Sequence, residues 1–266
     1  MSADSWFVVR APVADPALRL LCLPYAGGNA GAFERWRTVL PHSVEVVAVQ
    51  FPGRRERIGE PPARRMSQLV AALGTAASPL LDRPYAVYGD CLGAYVGFEL
   101  VRWLLRRGQS APRQLVVSSA AAPHVAEVEP DYAAMTDDEF LAELVRLGTM
   151  PPHVRAHAEL AAAALPSARA DFELGRAYRY RPGPVIPVPI TAITGADDPF
   201  VPAPGVAAWA ELTMVGLDEH RVAGGHDLLS GDRSDLAAVV GRTVAATVST
   251  NLSTPLSTVS GAGEQS

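Results

Sequence analysis

Apolar positions along this chain follow two rhythms that alternate. Short runs rich in β-branched and aromatic residues lie near Trp6–Arg10, Arg19–Leu23, Val44–Gln50, Pro84–Tyr88, Gln114–Ser118, Ile190–Thr194 and Glu219–Val222, and they read as strands. Between them, apolar residues three and four apart predict helices near Ala30–Leu40, Met66–Leu80, Leu92–Arg107, Gly205–Leu212 and Ser234–Val248. In the third of these, Leu92, Val96, Leu100, Trp103 and Leu104 share one face, and Gly108 follows Arg106-Arg107 as a stop. Strands alternating with helices predict an α/β fold with a mostly parallel sheet.

From about residue 127 to 179 the alternation breaks, and the segment is helical and strand-poor. Thr136-Asp-Asp-Glu139 has the pattern of a capping box. Phe140, Leu141, Leu144, Val145 and Leu147 follow at helical spacing, and Gly148 with Pro151-Pro152 closes that helix. Two further helical pieces are expected over Ala156–Leu165 and Ala168–Tyr178. The block reads as a lid inserted over a site on the main body, although an ordinary helical subdomain has the same pattern. Phe140, Leu144 and Phe172 fit either an acyl channel or a core. Residues 249–266 are rich in Ser, Thr and Gly without a sustained period, and are expected to be a disordered tail. The expected organisation is one domain over 1–248, with the insertion at about 127–179, followed by that tail.

Composition narrows the class. At 266 residues, 48% hydrophobic and 19% charged, the chain has the material for one large core. A net charge of −5 with no basic patch argues against nucleic acid as a partner. No apolar run approaches membrane-spanning length, so no membrane association is expected. Met1–Trp6 lacks the charged and apolar regions of a signal peptide. The two cysteines, Cys22 and Cys91, lie in dissimilar settings and suggest neither a disulfide framework nor a zinc site. A cytoplasmic enzyme with reduced thiols is the resulting expectation. Cys22, inside Leu18–Leu23, reads as core.

Cys91 stands in Gly89-Asp-Cys-Leu-Gly93, between the expected strand Tyr85–Tyr88 and the expected helix from Leu92. Gly-x-Ser-x-Gly in that context is the nucleophile elbow of α/β-hydrolases, here with sulfur in place of oxygen. Taken alone, Cys91 fits a core cysteine equally well, since free cysteine packs readily in interiors. A nucleophilic thiol needs a base, and the chain order in this fold is nucleophile, acid, histidine. His226 sits in Ala223-Gly-Gly-His226 after the last expected strand. Asp197 and Asp198 both sit in the loop after Ile190–Thr194 and both qualify as the acid. His42, His124, His153, His157 and His220 have no such setting. An oxyanion hole would take one backbone N–H from Leu92 and another from the loop Pro24-Tyr-Ala-Gly-Gly-Asn29.

Five segments together resemble one family: Leu23-Pro-Tyr-Ala-Gly-Gly-Asn29, Phe51-Pro-Gly-Arg-Arg-Glu-Arg-Ile-Gly-Glu-Pro-Pro62, the Gly89–Gly93 elbow, Gly195-Ala-Asp-Asp-Pro199 and Gly224-Gly-His226. They are similar to type II thioesterases, the stand-alone α/β-hydrolases that accompany polyketide synthases and non-ribosomal peptide synthetases. The similarity runs from about Trp6 to Val248, and its Pro-Gly-Arg stretch is the most specific piece. The resemblance implies Cys91, Asp198 and His226 as the triad, with the 28-residue gap between the last two favouring Asp198 over Asp197. It implies the Ala26 and Leu92 amides as the oxyanion hole. It also implies the substrate, an acyl thioester on the phosphopantetheine arm of an acyl or peptidyl carrier protein, with no cofactor of the enzyme's own.

Two positions depart from the family pattern, which has Ser in the elbow and His before it; here they are Cys91 and Asp90. Asp90 is expected to point away from the sulfur, because a carboxylate facing it would oppose the thiolate. Sulfur also changes the chemistry: a Cys nucleophile exchanges one thioester for another of similar energy. The leading reading is a thioesterase that clears carrier proteins. The alternatives are an acyltransferase shuttling groups between carriers, a small-lactone hydrolase, and a non-catalytic binding module.

Overall fold

The computed structural model describes residues 6–127, 130–229 and 234–251. Seven strands form one sheet in the order β1-β3-β2-β4-β5-β6-β7. They are β1 Phe7–Val8, β2 Leu18–Leu23, β3 Val44–Val49, β4 Tyr85–Asp90, β5 Leu115–Ser118, β6 Ile190–Gly195 and β7 Leu217–Val222. β1 pairs antiparallel with β3, and every other pairing is parallel. The α-helices are α1 Met66–Ala77, α2 Leu92–Arg106, α3 Asp137–Arg146, α4 Pro152–Ala156, α5 Ala158–Ala177, α6 Ala203–Ala207 and α7 Ser234–Asn251. This is the expected α/β-hydrolase fold, a mostly parallel sheet flanked by helices.

Alternate residues of the central strands feed two cores, as the two-residue period of a strand requires. Leu21, Leu23, Val87 and Val117 face α1 and α2, where Leu69, Leu73, Val96, Leu100 and Leu104 meet them. Leu20, Cys22, Ala86, Tyr88 and Val116 face the other way, toward Phe33, Trp36 and Val240. Each fully buried Leu or Val of this kind contributes about 1.5–3 kcal/mol. Cys22 is fully buried there, its thiol donating to the Leu20 carbonyl at 3.5 Å.

Local differences from the sequence expectation have physical causes. Residues 30–38 form a 3-10 helix rather than an α-helix, opened by Asn29, whose side chain accepts the Gly31 N–H. The expected break between helical pieces at 165–168 does not occur, and α5 runs unbroken through Pro166. Ala161, Leu165, Ala168 and Phe172 make one buried stripe across the proline. Pro166 and Ala162 lie on the exposed side, so the carbonyl left without an N–H partner opens to solvent. The capping box at Thr136 and Glu139 is formed in both directions. α7 continues through Asn251, past the expected start of the tail at 249; the rest of that stretch, 252–266, lies outside the described residues. Among the described residues no helix is long and apolar enough to cross a membrane.

The helices α3, α4 and α5 all lie between β5 and β6 and form the block expected as an insertion. Phe140, Phe172 and Tyr132 pack ring to ring, with centroids 5.0 to 5.9 Å apart. Phe140 and Leu144 are fully buried, in one cluster with the core that faces α1 and α2, so the insertion packs as part of the body.

Candidate active site

Parallel strands bring their carboxyl ends to one edge of the sheet, and ligands in open α/β sheets bind in the crevice there. Cys91 follows β4, Ser119 follows β5, Asp198 follows β6, His226 follows β7, and the Pro24–Asn29 loop follows β2.

The elbow depends on its two glycines. A Cβ on Gly89 would lie 2.2 Å from the Gly93 carbonyl oxygen, and one on Gly93 would lie 2.3 Å from that of Leu23. Neither fits, so the strand and helix approach as closely as they do only with hydrogen at these positions. Between them Cys91 takes φ 50° and ψ −112°, a region that costs a non-glycine residue about 1–3 kcal/mol. Its N–H donates to the Ser118 carbonyl at 2.9 Å, and its own carbonyl accepts from Ala94 at 3.0 Å. Leu92 opens α2, so its N–H is one of the helix's orphan donors.

The structure brings Cys91, His226 and Asp198 together. His226 Nδ1 lies 2.9 Å from Asp198 Oδ2. That contact commits Nδ1 as the donor and leaves Nε2 for the thiol of Cys91, which is hydrogen-bonded to the ring. Asp198 Oδ1 accepts the Phe200 N–H at 2.8 Å. The Asp198 side chain is shielded from solvent, whereas Asp197 is exposed. Two backbone bonds, Ala196 N–H to Val222 O and Asp197 N–H to Gly224 O, tie the acid loop to the histidine loop. The Phe200 ring stands edge-on to the imidazole, centroids 5.3 Å apart.

Electrostatics follow from this geometry. Burial alone would lower the His226 pKa, but the hydrogen bonds to Asp198 and to Cys91 outweigh it and push it up to about 11. Burial alone would raise Asp198; the bond from His226 and those from the Phe200 and Val201 amides hold it below the usual carboxylate value. An imidazolium between a sulfur and a carboxylate favours the thiolate, the reactive form of cysteine.

Ala26 is buried in the loop after β2. A salt bridge that sequence reasoning did not foresee fixes this loop. Arg54, from the Pro-Gly-Arg stretch, forms a two-pronged pair with Asp171 of α5, at 2.7 and 2.8 Å. Arg54 also donates to the Gly28 carbonyl, and Asp171 accepts the Gly27 N–H, each at 2.8 Å. Both charged side chains are nearly inaccessible, 6% and 3% exposed. One buried pair therefore anchors the Pro24–Asn29 loop to the insertion. The quoted motif held half of the signal, Arg54; its partner lies 117 residues away.

Asp90 also lies outside the expected set. It turns into a buried polar site with Tyr88, Ser118 and Ser119.

The thioesterase-domain family model matches residues 18–245. Gramicidin S biosynthesis protein GrsT of Aneurinibacillus migulanus is 36% identical over 79% of this chain and 82% of its own length. The antimetabolite synthetase AmbE of Pseudomonas aeruginosa is 36% identical over 96% of this chain, which spans only 12% of AmbE. The structure of the type II thioesterase BorB, from the borrelidin biosynthetic cluster, is similar with a TM-score of 0.83 and 33% identity, over 93% of this chain and 99% of that one. With its fold, its elbow and these relatives in agreement, the chain belongs to the thioesterase family, in the type II group.

Proposed function

We propose that this protein hydrolyses acyl groups held as phosphopantetheine thioesters on acyl or peptidyl carrier proteins, through an acyl-Cys91 intermediate. The observation that carries the reading is the strained elbow cysteine, hydrogen-bonded to an imidazole that is itself paired with a shielded carboxylate. The likeness to proteins of gramicidin S and borrelidin biosynthesis supports the carrier-bound substrate class.

The Cys91 thiolate attacks the thioester carbonyl, and the Ala26 and Leu92 amides stabilise the oxyanion. The tetrahedral adduct collapses, and the His226 imidazolium gives its proton to the departing pantetheine thiol. Neutral His226 then takes a proton from water as that water attacks the acyl-Cys91 carbonyl. The second collapse releases the acid and restores the thiolate–imidazolium pair. Asp198 holds the tautomer and balances the charge throughout. The insertion acts as a lid over the acyl-Cys91 site, and the enzyme works in the cytoplasm.

Mass spectrometry with one acyl-loaded and one empty carrier protein tests this. Free acid should accumulate, and a transient acyl mass should map to Cys91. Cys91→Ala should abolish both. Turnover surviving in that variant removes the assignment, and acyl mass on the empty carrier redirects it to transfer.

A further inference from the structure

Ser119, the first residue after β5, is buried and has no part in the reaction above. Its backbone takes φ 51°, a left-handed conformation that glycine adopts freely and other residues seldom do. Its N–H donates to the Ile193 carbonyl of β6 at 3.0 Å, and its Oγ donates to the His226 carbonyl at 2.7 Å. The hydroxyl thus crosses from the end of β5 to the main chain of the histidine itself. Glycine would make the same turn without strain but has no hydroxyl to send there. Strain of this kind persists where the surrounding structure over-determines it, and it gathers at functional sites.

Ser118 holds the other half of the site. Its carbonyl accepts the Cys91 N–H at 2.9 Å, and its hydroxyl is tied to Tyr88 and Asp90 of β4. Two consecutive residues at the end of β5 therefore grip the main chain of the thiol and the main chain of the imidazole. Other ties on the histidine loop do different work. The bonds from Ala196 and Asp197 reach Val222 and Gly224, short of His226. Asp198 meets the ring at Nδ1 and sets how it is turned. Ser119 sets where the main chain carrying that ring lies.

We propose that Ser119 is a positioning residue, whose hydroxyl, aimed by a strained backbone, holds His226 at the separation from Cys91 that their hydrogen bond needs. The proposal rests on the reading of Cys91 and His226 as nucleophile and proton carrier, and adds the element that spaces them. Ser119 acts through His226 and touches no reacting atom. Hydrogen bonds weaken steeply as distance and angle depart from the optimum. A His226 main chain released from Ser119 therefore pairs less well with the thiolate and delivers its proton less well to the leaving thiol.

Ser119→Ala and Ser119→Gly both remove the hydroxyl, and only glycine also relieves the backbone. Urea denaturation should rank the glycine variant above the alanine variant. In both, kcat should fall by about 10- to 100-fold, the scale of loss when a reacting group is misplaced by around 1 Å, with KM held within about twofold. A role confined to stability predicts the reverse, activity returning with the relief of strain. Alkylation of Cys91 by iodoacetamide at neutral pH, followed by mass spectrometry, should slow several-fold in both variants, because the thiolate depends on the imidazole beside it. Wild-type kcat in either variant, kcat restored by glycine along with stability, or unchanged alkylation would each overturn the proposal. Cys91→Ala tells two failures apart. Turnover surviving in it removes the triad and this proposal with it, whereas turnover lost there but kept in the Ser119 variants overturns only the role of Ser119.

Discussion

Sulfur at position 91 alters what the other two residues must supply. A serine hydroxyl holds its proton until the moment of attack, so the imidazole must act as a base. A thiol beside His226, whose pKa is raised by Asp198 and by the thiol itself, can give up its proton before substrate arrives. In the proposed reaction Asp198 then stabilises a charge already present in the resting enzyme. Asp198→Asn leaves an amide oxygen that can accept the Nδ1–H bond, so the tautomer survives and the charge is lost. The expected cost is roughly 100-fold or more in kcat/KM, within the range for impaired acid–base catalysis. Asp197, exposed one residue earlier, should tolerate the same change within about twofold. Steady-state kinetics of the two variants decide the matter, and the opposite order would reassign the acid.

At the scale of elements, the Arg54–Asp171 pair joins the loop after β2 to α5 across the edge of the sheet. Breaking a buried pair by removing one partner typically costs about 3–5 kcal/mol, because a charge stays buried alone. Arg54→Met should destabilise by that order in urea denaturation. Arg54→Met with Asp171→Leu removes both charges and should recover most of the loss. Activity should not return with stability, since Gly27 N–H and Gly28 O keep no partner and the Ala26 amide loses its fixed aim. Recovery of both together would make the pair purely structural. This pair also marks where the sequence stopped being legible. Strands such as Val44–Val49 announce themselves as near-continuous apolar runs, broken there only by Glu45, because a parallel strand is buried on both faces. The elbow, His226 and the Asp197–Asp198 pair were readable because each follows its own strand within a few residues; only the spacing implied by the resemblance favoured Asp198 within that pair. Arg54–Asp171 and Asp90–Ser118 were not, since their partners meet only through tertiary packing. Pro166 misled for the reverse reason: a local breaker yields when the buried stripe continues on both sides of it.

For the molecule as a whole, the question is how the proposed acyl-pantetheine substrate reaches Cys91. The insertion touches the body in two unlike ways. α5 is pinned by the buried Arg54–Asp171 pair and by a stripe packed into the main core. The end of α3 rests more lightly. Arg146 lies over the half-exposed Phe200 ring, 5.4 Å from its centroid, and Gly148 abuts Asp227, where an added Cβ would come within 3.0 Å. Cation–π contacts at exposed sites contribute only about 0.5–1 kcal/mol. Both light contacts fall on the acid and histidine loops; an opening of α3 and α4 that uncovers His226 while α5 keeps the Pro24–Asn29 loop in place must also part Phe140 from Phe172 and Asp137 from Arg169. Local opening of that kind needs far less free energy than global unfolding. Amide hydrogen exchange should therefore show α3 and α4 exchanging well ahead of α5 and the central strands. Arg146→Ala should hasten exchange in α3 and α4 without changing that of β4. If α5 exchanges together with α3, the insertion moves as one body, and the oxyanion loop must then be rebuilt at each closure.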